Sequence, residues 1–151
     1  MARRSRAREI ALQALYQRDQ NKNLTNDDAV AFLARRLSEP ELLELGKLLY
    51  QGTVEHLKEV DARLAKVADN WSVDRMAIVD RNVLRLGIFE LYHGPATPFK
   101  VVLDEAVELA KRYGSEESPG FVNGILDKIA SDKNAADVVA EATPAAEPQG
   151  T

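Results

Sequence analysis

The chain has 151 residues, 45% of them hydrophobic and 29% charged, with a formal net charge of −4. That is the composition of one soluble globular domain, or of two packed subdomains, able to bury roughly two thirds of its unfolded surface. No apolar run approaches the ~18 residues of a membrane span, and the absence of cysteine excludes disulfides, thiolate metal sites and cysteine nucleophiles and fits a reducing cytoplasm.

The chain opens on a basic cluster. Arg3, Arg4, Arg6 and Arg8 crowd the first eight residues, and the remaining 16 basic residues face 24 acidic ones, so the body after Arg8 carries about −8. A short cationic patch on an acidic body is a localised anion site, and nucleic acid phosphate is the commonest large anion in a cell. Arginine-rich starts also occur in disordered arms and in transit peptides. Here the arginines run directly into Glu9-Ile10-Ala11-Leu12-Gln13-Ala14-Leu15-Tyr16, with Ala7, Ile10, Ala11, Ala14 and Leu15 on one side at helical spacing, which predicts the basic end of a structured helix.

The helical period continues along the chain and no alternating strand pattern interrupts it. Asn21 to Asn26 reads as a turn, with Thr25 or Asn26 capping a helix around Asp28 to Leu37. Ser38 can cap the next helix, with Pro40 in its first turn and Glu39 and Glu41 at the positive end of its dipole. Leu42, Leu45, Leu49, Leu57, Val60, Leu64 and Val67 trace one stripe, which predicts a long helix from Glu41 to Ala68. Gly52 marks either a close helix contact or a bend in it.

Asn70-Trp71-Ser72 predicts a break and a subdomain boundary, followed by a short helical turn at Ser72 to Arg75. Asp80 can cap a helix from Arg81 to Tyr92 whose broad buried face carries Val83, Leu84, Gly87, Ile88 and Leu91. Gly94-Pro95-Ala96-Thr97-Pro98 ends it. Lys100 to Tyr113 places Val102, Ala106, Leu109, Ala110 and Tyr113 inward and Asp104, Glu105, Glu108, Lys111 and Arg112 outward, with Gly114 as a left-handed C-terminal residue. Ser118-Pro119 opens a last helix with Val122, Ile125, Leu126 and Ile129 as its stripe. Residues 134–151 are too poor in bulky apolar groups to offset the entropy of ordering and read as a disordered tail, with Ala135 to Ala142 able to extend the last helix transiently.

Little in this inventory supports catalysis. Two histidines, His56 and His93, without cysteine make no zinc cluster and no Cys-His pair, and each sits where a histidine satisfies a helix rather than performs chemistry. No phosphate-binding glycine loop follows a strand, because no strand is predicted. Arg81 and Arg85, at i and i+4, put two guanidinium groups at the edge of a buried face, either paired with Asp80 or Glu90 or free for phosphate. Phe121, next to Pro119-Gly120, falls off the apolar stripe, in a position to stack on an unpaired base or to pack in the core.

These residues together resemble the NusB family of bacterial transcription antitermination factors. The resemblance runs from Arg3 to about Ile129. It is carried most specifically by Phe99-Lys100-Val101-Val102-Leu103-Asp104-Glu105-Ala106-Val107-Glu108-Leu109-Ala110-Lys111 and by Phe121-Val122-Asn123-Gly124-Ile125-Leu126-Asp127-Lys128. Ala11-Leu12-Gln13-Ala14-Leu15-Tyr16 behind the arginines, and Asp80-Arg81-Asn82-Val83-Leu84-Arg85, support it. The resemblance implies an all-α fold of about seven helices in two small bundles, which agrees with subdomains near 1–70 and 71–133, whereas the acidic tail at 134–151 is atypical of the family. It implies a cytoplasmic, non-enzymatic factor without cofactor. Its partners would be the NusE ribosomal protein, the single-stranded boxA element of ribosomal RNA leader transcripts and the RNA polymerase antitermination complex. RNA contacts would fall to Arg3, Arg4, Arg6, Arg8, Arg85, Phe121 and Asn123. Gly120 departs from the family, which often has a basic residue there. A helical protein-interaction module or a homodimer without RNA is the alternative, and a stand-alone relative of the RNA-binding domain of a ribosomal RNA methyltransferase is a weaker one, since no cofactor-binding strand-loop pattern follows.

Overall fold

The computed structural model describes residues 2–68 and 72–142, with side chains over 3–68 and 72–134. Its elements are α1 (Ala2–Gln20), α2 (Asn26–Arg36), α3 (Pro40–Glu55), α4 (Leu57–Val67), a 3-10 turn at Val73–Arg75, α5 (Ile78–His93), α6 (Phe99–Tyr113) and α7 (Ser118–Ala142). The fold is all-α, with seven α-helices and no strand among the described residues.

Local chemistry accounts for most of the boundaries. Thr25 caps α2 by accepting from the Asp28 N–H at 3.0 Å, while the Asp28 carboxylate accepts from the Thr25 N–H at 3.1 Å, so two otherwise unpaired donors are satisfied reciprocally. Pro40 opens α3, where its missing N–H costs nothing, and Glu39 rather than Ser38 is the N-cap residue. The 3-10 turn at Val73–Arg75 falls where a short helical turn is expected.

Four sequence expectations are corrected. The long helix from Glu41 to Ala68 is two helices, because His56 leaves the helical region at φ −101° and ψ 16° and separates α3 from α4. The apolar stripe passes through this one-residue corner without losing phase, so periodicity could not reveal it. Helix α5 begins at Ile78 after an extended Ala77, which moves Asp80 from the cap into the first turn. Gly114 has φ −98°, not a left-handed value. Ser118 is the first residue of α7, and its hydroxyl accepts from the Ser115 N–H at 2.9 Å, closing the turn before the helix rather than capping it. The boundary expected at Asn70-Trp71 lies outside the described residues. Helix α7 continues to Ala142, through the first part of the segment that composition reads as a tail, and 143–151 also lie outside.

Helix α1 packs on α2, α3 and α5, while α5 also packs on α3, α4, α6 and α7. Ile10, Leu33, Leu49, Leu64, Leu84, Ile88, Phe89, Leu126 and Ile129 are fully buried in one continuous cluster, each contributing on the order of 1.5–3 kcal/mol. Gly52 is a place of very close approach between α3 and α5. A Cβ there would run into the Phe89 ring, which is itself buried and cannot retreat, so the glycine serves a close contact rather than a bend.

Candidate nucleic-acid interface and the ion pairs beneath it

The first two turns of α1 divide the arginine cluster by helical phase. Ala7, Ile10, Ala11 and Ala14 must face the core, and Arg8 shares their side, whereas Arg3, Arg4 and Arg6 remain exposed. Arg3 pairs with Glu39 at 2.7 Å and Arg6 with Glu9 at 3.0 Å. Arg3 and Arg4 line one surface cleft with Glu41, Leu42 and Leu45 of α3. Surface pairs of this kind are worth little and exchange readily for phosphate.

Arg8 is different. It is 2% exposed and bound in a two-pronged pair with Glu90 of α5, at 2.7 Å and 2.8 Å, and Glu105 of α6 lies 3.8 Å from its third nitrogen. Sequence reading places Arg8 on the RNA face, but its helical phase turns it into the junction of α1, α5 and α6, and its charge is neutralised there. Glu105, read as part of a solvated face, is one of the neutralising groups, and its other partner is the Ser5 hydroxyl at 2.8 Å.

Arg85 is likewise removed from the surface. It is 7% exposed and donates to both oxygens of Asp61 on α4, at 2.9 Å and 3.0 Å, to Asp19 of α1 at 3.2 Å and to Asn82 at 3.1 Å. Asp19 also receives Arg81 at 3.0 Å and the Asn82 amide at 2.8 Å. The partners anticipated for this arginine pair, Asp80 and Glu90, are not the ones used, because α1 and α4 bring more distant carboxylates to the same edge of α5. Burial by itself would raise the Asp19 carboxyl, but the Asn82 hydrogen bond and the Arg85 and Arg81 charges outweigh it and hold the group below its ordinary value.

A third cluster ties α6 to α1. Glu9 accepts from Arg6, from Arg112 at 3.0 Å and from the Tyr113 hydroxyl. Burial pushes Glu9 up, yet these three donors, with Tyr113 foremost, bring it below the usual carboxylate range. Glu9, Asp19 and Asp61 are the residues that sequence reasoning missed, and Glu90 is one that it gave to the wrong arginine. Each pairs with a residue on another helix, and no short-range spacing announces that.

Phe121 sits in the first turn of α7, partly buried against the core, and lines a groove of about 290 Å³ with Met76, Ala77, Asp80, Ser115 and Glu117. One buried carboxylate oxygen of Asp80 has no hydrogen-bond partner among the described residues. Asn123 is exposed, 3.5 Å from Asp127. A Cβ at Gly120 or Gly124 would meet nothing within 4 Å, so this face of α7 leaves its backbone open. The groove at Phe121 and the cleft at Arg3 and Arg4 have no lining residue in common.

A separate groove of about 400 Å³ lies between α1, α2, α5 and α6, lined by Leu12, Gln13, Tyr16, Gln17, Phe32, Arg36, Val79 and Tyr113. Tyr16 is 38% exposed at its rim. His56, at the corner between α3 and α4, and His93, the last residue of α5, stack on one another with ring centroids 4.0 Å apart.

The NusB family model matches residues 5–131. The chain is 50% identical over 132 residues to the transcription antitermination protein NusB of Anaeromyxobacter dehalogenans, covering 86% of this chain and 92% of that protein. It is similar in structure to T. maritima NusB, with a TM-score of 0.80 and 36% identity over 85% of this chain and 90% of that one. A second similar structure is a NusB solved as antitermination factors NusB and NusE in complex with dsRNA, with a TM-score of 0.79 and 30% identity, over 87% and 98% of the two chains.

Proposed function

The chain belongs to the NusB family, and we propose that it is a transcription antitermination factor that binds the boxA element of ribosomal RNA leader transcripts together with the NusE ribosomal protein. In this reading the complex is loaded on cytoplasmic RNA polymerase and makes it resistant to termination. The chain contributes binding surfaces and no catalytic group. No helix among the described residues is long and apolar enough to cross a membrane.

The observation that carries the reading is the division of the arginines. Three of them stay exposed at the start of α1, on a body that is otherwise acidic. Arg3, Arg4 and Arg6 supply phosphate contacts, which hold RNA by charge. Phe121 offers its ring to an unpaired base beside the bare backbone of Gly120, and Asn123 offers an amide on the same exposed turn. Arg8 and Arg85 enter as scaffold. The groove around Tyr16 suits a protein, because an exposed aromatic over an apolar floor is the usual anchor of a protein interface. We assign it to the NusE partner.

Few phosphate contacts on a net acidic body predict weak RNA binding by the chain alone. Titration of a labelled boxA oligonucleotide should show a large gain in affinity when the NusE partner is added. Affinity should fall with salt at a log-log slope near −0.7 for each phosphate neutralised on single-stranded RNA. No gain with the partner, or a flat salt response, would leave a helical protein-interaction module or homodimer as the better reading.

A further inference from the structure

His56 occupies the corner between α3 and α4, and its ring Nδ1 lies 2.9 Å from the carbonyl oxygen of Gly52. A carbonyl can only accept, so Nδ1 carries the proton and Nε2 keeps its lone pair. His93 is the last residue of α5, and its Nε2 stands 2.8 Å and 2.9 Å from the two oxygens of Glu59 on α4. The two imidazoles stack at 4.0 Å with 24° between their planes. One ligand atom from each of His56, Glu59 and His93 falls within 4.8 Å of the other two.

We propose that His56, Glu59 and His93 form a zinc site. Two neutral imidazoles and one carboxylate are a borderline nitrogen-oxygen donor set, which suits Zn²⁺ over the hard cations Mg²⁺ and Ca²⁺. Bonds of ~2.0–2.2 Å to a tetrahedral ion place donors roughly 3.3 Å apart, closer than the 4.8 Å within which these ligand atoms now lie, and an imidazole binds an ion in its own plane, so loading the site turns the two rings out of their present stack. The Gly52 carbonyl fixes the tautomer of His56 that a metal requires, as an outer hydrogen bond does in established zinc sites. Arg63 donates to Glu59 at 2.9 Å and lies 3.6 Å above the Tyr92 ring, which orients the carboxylate and holds the arginine's charge over a π face. The ion takes the place of the proton that Nε2 of His93 shares with Glu59. With three protein ligands the fourth position is open to water or to a donor from a partner. The ion would fasten the α3–α4 corner to the end of α5.

The chain has two histidines and no cysteine, which makes the test clean, provided that the protein carries no histidine tag. Zn²⁺ is titrated against a chromophoric chelator with the full chain, and Co²⁺ serves as the spectroscopic probe. The expected result is one Zn²⁺ per chain, a melting temperature raised by Zn²⁺ and not by Mg²⁺, and visible Co²⁺ bands of a low-coordinate site. His56→Ala, His93→Ala and Glu59→Gln should each weaken Zn²⁺ binding at least about tenfold. Circular dichroism reports whether each variant keeps its fold, and the exposed His93 supplies the substitution that perturbs packing least. Equal Zn²⁺ affinity in the wild type and a folded His93→Ala variant would overturn the site, as would absence of binding at micromolar Zn²⁺.

Discussion

Arg8→Ala should cost about 3–5 kcal/mol of folding stability, because it leaves Glu90 as an uncompensated charge in the junction of three helices. Glu90 is 5% exposed, so neither water nor a neighbouring cation can replace the two hydrogen bonds at 2.7 Å and 2.8 Å that the arginine supplies. For a chain of this length that is a fall of roughly 10 °C or more in melting temperature. Glu90→Ala should be comparably damaging, since it strands the guanidinium instead. The double variant Arg8→Met with Glu90→Leu removes both charges and fills the space, and it should recover most of the stability. Urea unfolding of the three variants measures this directly. An Arg8→Ala protein that melts like the wild type but binds RNA poorly would return Arg8 to the RNA face.

Arg85→Ala is the second large effect, at about 3 kcal/mol, toward the lower end of the range for broken buried pairs because Asp19 and Asp61 retain some access to water. The same network predicts an acid limb in stability. The Asp19 carboxyl is held below its ordinary value, so its stabilising contribution is complete above the ordinary aspartate range and disappears as pH falls through the lowered value. The melting temperature of the wild type should therefore decline below about pH 4. The decline should be shallower in Arg85→Ala, which already lacks part of what acid removes. Parallel profiles for the two proteins would show that the network does not govern acid stability.

The helices were legible in the sequence because their apolar stripes, caps and prolines are local signals. Thr25 and Asp28 specify α2 within four residues, and Pro95 and Pro98 separate α5 from α6. The corner at His56 was not legible, because the stripe from Leu49 to Leu64 keeps its phase across it. The site was legible in part. The arginine cluster could be seen, but the face of α1 that Arg8 takes depends on Glu90 lying beneath it, 82 residues away in sequence. Arg85 was recognised at the edge of a buried face, while its partners Asp19 and Asp61 come from two other helices. The stacking of His56 on His93 is invisible for the same reason.

In the proposed binding mode, RNA meets the exposed arginines and Phe121, while the buried arginines only hold the fold. One experiment separates these roles by following boxA affinity, its salt dependence and melting temperature for Phe121→Ala and for the triple variant Arg3→Ala, Arg4→Ala, Arg6→Ala, in the presence of the NusE partner. The triple variant should melt close to the wild type and bind more weakly, with the salt slope reduced by ~0.7 for each phosphate that is no longer neutralised. Phe121→Ala should give up ~1–3 kcal/mol of RNA affinity with its salt slope intact. A triple variant that binds boxA with wild-type affinity and slope, alongside a Phe121→Ala protein that sacrifices stability rather than RNA affinity, would contradict this mode.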